Sequence, residues 1–159
     1  MSQRTGIGWD SHRLVAGRPL VLGGVEVASE VGLEGHSDAD VLTHAVIDAL
    51  LGAAGLDDIG THFPDTDPAF KDADSIALLE EASRLVAQAG FAVVNVDATL
   101  MLEAPKIGDY RARMRERLAA ALGLDASEVN VKATTGEGMD SVGRGDGAAA
   151  IAMATLRAS

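Results

Sequence analysis

The pattern of apolar residues is clearest between residues 38 and 54, where it follows the period of an α-helix. Apolar side chains recur at helical spacing and would form one face, namely Val41, Leu42, Ala45, Val46, Ala49 and Leu50. Ser37 or Asp38 is a suitable N-cap for this helix, and Gly55 is a suitable C-cap. We therefore predict a helix that ends at about Ala54.

Alternation of apolar and polar residues predicts strands elsewhere in the chain. They cover residues 4–12, 19–27 (with a break at Gly23-Gly24), 91–103, 128–134 and 148–158. The last segment is rich in alanine, which favours a helix by propensity. The order of the preceding strands and helices favours a closing strand there, and we predict a strand.

Two more helices are predicted, over residues 74–89 and 105–122, each followed by a glycine. The loop over residues 55–72 is long for a connection, and loops of that length often carry function. Four to five strands and three helices in mixed order predict one layered domain over residues 1–159, of the α/β or α+β class, with helices on one face of a sheet.

Charge and composition narrow the class of function. The net charge is −11, which argues against nucleic acid as a partner, because affinity for nucleic acid comes from Lys and Arg at phosphates. The chain has no cysteine, so a zinc site would need histidines and carboxylates. The sequence has no recognisable signal peptide and no apolar run long enough to span a bilayer, so we expect a cytoplasmic protein that binds no membrane.

The strongest candidate for chemistry is a set of three metal-type ligands. Asp10 and His12 lie two apart on a predicted strand, so their side chains point to one face, and His44 lies on the first predicted helix. One carboxylate and two imidazoles suit zinc, and three protein ligands leave a fourth position open for chemistry. The alternative is that all three are ordinary surface residues. Asp40 or Asp48, each one turn from His44, could orient its imidazole or could be solvated.

Four further segments carry candidate residues, and three of them have a simpler explanation. His36-Ser37 precedes a helix, where an anion could bind, but also resembles a capping sequence. Residues 63–68 and 143–147 could bind a ligand or could be turns. Residues 132–137 place Lys, Thr and Glu where a strand meets a Gly-rich loop, which suits a diphosphate and magnesium.

Taken together, these segments resemble the 2-C-methyl-D-erythritol 2,4-cyclodiphosphate synthase family. The matching stretches follow one another along nearly the whole chain: Gly8 to Leu14, Gly35 to His44, Asp48 to Ala54, Asp58 to Gly60, Phe63 to Pro68, Ala104 to Lys106, Asn130 to Thr135 and Gly143 to Gly145. The resemblance implies a two-layer α+β fold with a four-stranded sheet, assembled as a homotrimer with active sites between subunits. It also implies a cytidine diphosphate substrate, 4-diphosphocytidyl-2-C-methyl-D-erythritol 2-phosphate, which is cyclised with release of CMP.

The resemblance also implies roles for individual residues. Asp10, His12 and His44 would bind Zn²⁺, and Glu137 would bind Mg²⁺ or Mn²⁺ at the diphosphate. His36 and Thr135 would stabilise the transition state. The substrate contacts implied are Ser37, Asp58, Ile59, Gly60, Phe63, Asp65, Asp67, Ala104, Pro105, Lys106, Thr134 and Arg144.

The chain departs from the family pattern in the loop after Thr135. Gly136 stands where a third threonine is usual, and Ser141 stands in place of a phenylalanine that lines the centre of the trimer in the family. Two other functions remain open from the residues: a zinc phosphoesterase that uses metal-bound water, and a non-catalytic trimer that binds nucleotide or metal.

Overall fold

A mixed five-stranded sheet forms the centre of the computed structural model, which describes residues 2–159. Its strands in spatial order are β4 (Val31–Leu33), β1 (Gln3–Ala16), β7 (Gly147–Ala158), β5 (Phe91–Met101) and β6 (Val129–Thr134). Strands β5 and β6 are parallel, and the other neighbours are antiparallel. Strands β2 (Leu20–Leu22) and β3 (Val25–Val27) form a separate hairpin. The predicted closing strand is therefore confirmed as β7, between β1 and β5.

The expected strand count of four is wrong, because β4 adds a fifth strand. It has three residues, one of them Gly32, and it pairs with the end of β1 at Leu14 to Ala16. A segment that short has too few alternating positions to be recognised from its pattern. The α+β class and the covering of one face by helices are both confirmed.

The three predicted helices are present, and two helices of four residues accompany them in the loops. The helices are α1 (Val41–Ala54), α2 (Ile59–His62), α3 (Ser75–Gln88), α4 (Arg111–Leu122) and α5 (Asp140–Gly143). Helix α4 begins at Arg111, later than predicted, because a 3₁₀ turn over Gly108–Tyr110 precedes it. The N-cap of α1 is Asp40, not Ser37 or Asp38, and its carboxylate accepts a hydrogen bond from the Thr43 amide at 3.0 Å.

Helix α1 packs directly on the backbone of β1. A Cβ atom at Gly8 would lie 2.0 Å from the carbonyl oxygen of Ala45, and one at Gly6 would lie 2.1 Å from that of Ala49. Glycines in β1 and alanines in α1 and β7 thus allow the helix to approach the sheet closely. This contact places the side chains of α1 next to those of β1.

The face of the sheet away from the helices is apolar and uncovered in the single chain. Ile7 is 62% exposed, Trp9 59% and Met153 49%. Ile7 and Met153 are direct partners across β1 and β7, and Trp9 is paired with Ile151 two residues further along. Within residues 2–159 no helix combines the length and the apolar character that a membrane crossing requires.

Candidate metal centre and substrate cavity

Asp10, His12 and His44 meet at one point between β1 and α1. The carboxylate atom Oδ2 of Asp10 lies 2.9 Å from Nε2 of His12 and 3.1 Å from Nδ1 of His44. One ligand atom from each residue lies within 4.8 Å of the other two. The predicted convergence of these three residues is confirmed, and β1 and α1 each supply part of the set.

Hydrogen bonds on the far side of each imidazole leave the atoms that face the centre free to bind a metal. His12 donates from Nδ1 to the carbonyl oxygen of Glu34 at 2.9 Å, so Nε2 is unprotonated in the neutral ring. The hydroxyl of Ser75 donates to the carboxylate of Asp38 and therefore accepts from Nε2 of His44, at 2.7 Å. This leaves Nδ1 of His44 unprotonated in the neutral ring. The donor set and its outer hydrogen bonds fit zinc.

The electrostatics of the three residues are tightly coupled. Burial raises the pKa of Asp10, but hydrogen bonds and charge interactions with His12 and His44 outweigh it and lower that pKa to about 2. Burial lowers the pKa of His12, and its bond to Asp10 outweighs this, so the pKa of His12 is raised. A carboxylate that stays ionised between two imidazoles is a strong ligand for a cation.

The two aspartates proposed to orient His44 have other roles. Asp40 is fully buried, and its carboxylate accepts from the amides of Gly23 and Gly24 at 2.9 and 2.8 Å, as well as capping α1. Burial raises the pKa of Asp40. Asp48 accepts from the amide of Ile59 at 3.1 Å and so fixes the start of α2. The closest group that orients His44 is Ser75, at 2.7 Å from Nε2, and the hydroxyl of Ser37 lies 3.2 Å from the same nitrogen. Ser75 carries no distinctive signal in the sequence.

A cavity of about 610 Å³ opens beside the triad. The predicted substrate contacts that line it are Ser37, Asp58, Ile59, Gly60, Phe63 and Asp65, together with His36, predicted to stabilise the transition state, and the three metal-type ligands. Trp9, Phe70 and Leu78 also line it and were not predicted, and so does Asp48, which the sequence suggested only as a partner of His44. Residues from the 55–72 loop, the start of α1 and the sheet therefore enclose one space.

Asp67, predicted to contact the substrate, does not line this cavity in the single chain. Its carboxylate accepts from the amide of Ala69 at 2.9 Å and caps the 3₁₀ turn Pro68–Phe70. Its carbonyl oxygen lies 2.9 Å from Nε2 of His36. Asp67 thus orients His36 through the backbone.

A second cavity, of about 260 Å³, lies at the other predicted ligand segment. Pro105, Lys106, Thr134 and Thr135 line it, together with Leu102, Glu103, Ile107, Gly108, Arg111 and Ala133. Ala104 is exposed and is not among its lining residues. Glu137 is exposed and lines neither cavity, and Arg144 is exposed and pairs with Asp146 at 3.0 Å. The described chain thus carries its predicted site residues in two separate groups.

The loop that carries Glu137 is held by another carboxylate. Glu103 accepts from the amides of Gly136 and Gly138, at 2.8 and 3.3 Å, and the amide of Glu137 donates to Oγ1 of Thr135 at 3.2 Å. Glu137 has a positive φ of 56°, which is unusual for a residue with a side chain. The amides of Gly136, Glu137 and Gly138 are therefore bound by the protein itself.

Comparisons with known proteins agree with this geometry. The model of the YgbB family matches residues 3–157. A 2-C-methyl-D-erythritol 2,4-cyclodiphosphate synthase of Desulfosudis oleivorans is 60% identical over 153 residues, which is 96% of this chain and 91% of that protein. One of Laribacter hongkongensis is 58% identical over 157 residues, or 99% and 97% of the two chains.

Solved structures show the same fold. The bifunctional IspDF of Campylobacter jejuni matches with a TM-score of 0.96 and 43% identity, over 99% of this chain and 43% of that longer chain. The complex of Plasmodium falciparum IspF with CDP matches with a TM-score of 0.87 and 30% identity, over 99% and 97% of the two chains. By its sequence, its fold and its metal-type triad, the chain belongs to the YgbB family, together with the 2-C-methyl-D-erythritol 2,4-cyclodiphosphate synthases that it resembles.

Proposed function

We propose that this chain converts 4-diphosphocytidyl-2-C-methyl-D-erythritol 2-phosphate into 2-C-methyl-D-erythritol 2,4-cyclodiphosphate and CMP, a step of non-mevalonate isoprenoid synthesis. The observation that carries the proposal is the triad of Asp10, His12 and His44 in the wall of the 610 Å³ cavity. Relatives that are 58–60% identical bear the name of this activity. The CDP complex of a relative supports a cytidine ligand.

The reaction requires positioning more than covalent participation by the protein. An oxygen of the 2-phosphate attacks the β-phosphorus, a new P–O bond forms, and the bond from that phosphorus to CMP breaks. The attacking phosphate is already anionic, so no general base is needed. The main contribution of the protein is to hold the 2-phosphate and the diphosphate of one substrate close together. Its second contribution is to neutralise their charge.

The triad would hold zinc at the cavity wall. A bound zinc supplies a Lewis acid that neutralises charge on a phosphoryl oxygen. His36 lies at the same wall, and its Nε2 is tied to the carbonyl oxygen of Asp67. When protonated, His36 can donate from Nδ1 to a phosphoryl oxygen. Ser37 and the segment from Asp58 to Asp65 are placed to enclose the methylerythritol part of the substrate.

We infer that the complete site forms between subunits of a homotrimer. Two observations support this: most of the predicted residues line two separate cavities of one chain, and the sheet exposes an apolar face at Ile7, Trp9 and Met153. Glu137, whose amide donates to the Thr135 hydroxyl at the edge of the second cavity, would hold Mg²⁺ or Mn²⁺, with Lys106, Thr134 and Thr135 around the nucleotide. A cytoplasmic location stays a prediction from the sequence.

The proposal is tested by incubating the zinc-loaded protein with the diphosphocytidyl substrate and Mg²⁺, and following products by ³¹P NMR. We expect equal amounts of CMP and the cyclic diphosphate. Inorganic phosphate would instead indicate a phosphoesterase, and no turnover would indicate a binding protein. His44→Ala should lose zinc and turnover together. Glu137→Ala should lose turnover while it retains zinc, and equal loss of both would contradict separate metal sites.

A further inference from the structure

The segment from Glu34 to Ser37 forms part of the cavity wall and is fixed through its carbonyl groups. Each of its four carbonyl oxygens accepts a hydrogen bond, from Nδ1 of His12, Nη1 of Arg18, the amide of Asp72 and Nη2 of Arg18 in turn. A cation with two parallel N–H groups is well suited to hold two carbonyls in fixed geometry. Arg18 therefore supplies two of the four contacts.

The two contacts of Arg18 lie on either side of His36. Nη1 donates to the carbonyl of Gly35 at 3.2 Å, and Nη2 donates to that of Ser37 at 2.9 Å. Gly35 also packs against the ring of His12, since a Cβ atom there would lie 3.1 Å from Cε1 of His12. The guanidinium thus lies behind the cavity wall and joins the segment that carries His36 to the turn between β1 and β2.

The charge of Arg18 is not neutralised by a neighbouring carboxylate. Among the described residues no carboxylate lies within 4.0 Å of its nitrogens, although the chain has a net charge of −11. Its Nε is buried and has no hydrogen-bond acceptor in that part of the chain. A buried unpaired donor is unfavourable and calls for a compensating role.

We propose that Arg18 is a positioning residue for the phosphate end of the substrate. It holds the backbone on both sides of His36 at the cavity wall, and it places an unneutralised positive charge behind that wall. An anionic substrate would be held more strongly by a wall with this charge. The inference rests on the proposed function, because it assigns a phosphate to this side of the cavity.

The test compares zinc-loaded Arg18→Met and Arg18→Lys with the unaltered protein, with Arg113→Met as the matched control on the exposed side of α4. The measurements are zinc content, Tm, kcat and KM for the diphosphocytidyl substrate, and hydrogen exchange of the amides over residues 35–38. Arg18→Met should lower kcat/KM by about 10-fold or more while it retains zinc. Arg18→Lys should fall between, because it keeps the charge but loses the paired geometry. Exchange over residues 35–38 should be faster in both.

Three results would overturn the proposal. One is a folded, zinc-loaded Arg18→Met protein whose kcat/KM stays within about twofold of the original. Another is loss of activity only in proportion to loss of zinc, or an equal loss in Arg113→Met. If Arg18→Met fails to fold, Arg18→Lys decides: unchanged exchange and kcat/KM refute the role, and reduced kcat/KM with zinc retained supports it. If the unaltered protein forms no cyclic product, the proposed function fails. The exchange data then test by themselves whether Arg18 holds the backbone on both sides of His36.

Discussion

Ser75 and His44 are joined by a 2.7 Å hydrogen bond between Oγ and Nε2, although they lie on different helices, α3 and α1. Asp38 accepts from both the hydroxyl and the amide of Ser75, so the hydroxyl has a fixed direction. The relationship determines which nitrogen of His44 carries its proton. It leaves Nδ1 facing Asp10 with its lone pair available.

Removing this hydroxyl should weaken the metal centre. In Ser75→Ala we expect zinc affinity to fall about 10- to 100-fold, the scale observed when an outer partner of a metal-binding histidine is lost. Competition with a chelator measures the affinity directly. Ser83→Ala, further along α3, is the matched control, and unchanged affinity in Ser75→Ala would show that His44 does not depend on this contact.

The coupled ionisation of Asp10 and His12 predicts a pH window for the metal-free protein. The pKa of Asp10 is lowered from 3.8 to about 2, so its contribution to stability is complete above 3.8 and is lost as pH falls toward 2. The pKa of His12 is raised from 6.5, so its contribution is complete below 6.5 and is lost as pH rises through the raised value.

The Asp10–His12 pair should therefore stabilise the metal-free protein most between about pH 4 and 6.5. We expect the Tm of the original protein to be a few degrees higher near pH 5.5 than near pH 8.5. Asp10→Asn removes the pair, so its Tm should lack this difference between the two pH values. A difference of the same size in both proteins would assign the effect to other groups.

Asp40 should be among the most sensitive positions for folding. Replacement by Ala removes the N-cap of α1 and leaves the amides of Gly23 and Gly24 without their acceptor. We expect the free energy of unfolding to fall by about 3 kcal/mol or more, since each buried unpaired group costs about 1–3 kcal/mol. Denaturant unfolding measures this. Asp74→Ala, which removes a cap with a single amide contact at the start of α3, should cost only about 1 kcal/mol.

We expect Glu103 to affect the binding of Mg²⁺ or Mn²⁺ at Glu137 but not the binding of zinc at the triad. In Glu103→Gln one of the two acceptor atoms becomes a donor that faces an amide, so the Glu137 loop loses one of its supports. We expect affinity for Mn²⁺, measured by electron paramagnetic resonance, to fall about 10-fold while zinc content is unchanged. Glu116→Gln on α4 serves as the control. Loss of zinc in Glu103→Gln would contradict the independence of the two sites.

The uncovered sheet face predicts a variant that separates assembly from folding. Met153→Glu places a charge among Ile7, Trp9 and Ile151, and a desolvated unpaired charge is strongly unfavourable. Sedimentation should show a trimer for the original protein and a monomer for this variant, with zinc retained and turnover lost. Ala87→Glu, on the exposed side of α3, should remain trimeric and active.

Much of the fold could be predicted because the sequence patterns are local. The apolar face of α1, the alternation in β5 and the glycines at positions 55 and 123 each describe one element. Strand β4 and the true role of Asp40 could not be predicted in this way. Both depend on contacts with residues distant in sequence. The sequence around a polar residue at a helix start does not show whether that residue is solvated or fully buried.

The residues of the candidate site also fall into those that local sequence patterns predict and those that they do not. The convergence of Asp10, His12 and His44 could be inferred from residue types and spacing, since strand and helix periodicity fix the directions of these side chains. Ser75, Glu103 and Arg18 could not, because serine, glutamate and arginine are common surface residues. Their importance appears only when the backbone groups that they hold are known.

The close contact of α1 with β1 at Gly6 and Gly8 sets the size of the metal centre. The strand carries two ligands and the helix carries the third, so the gap between them is the width of the coordination sphere. A Cβ atom at Gly8 would lie 2.0 Å from the carbonyl oxygen of Ala45, whereas real Cβ contacts are essentially never shorter than 3.0 Å, so the helix would move outward by about 1 Å. Metal–ligand distances tolerate only about 0.2 Å. The size of the candidate metal centre therefore depends on Gly6 and Gly8, which have no side chain and are not among its ligands.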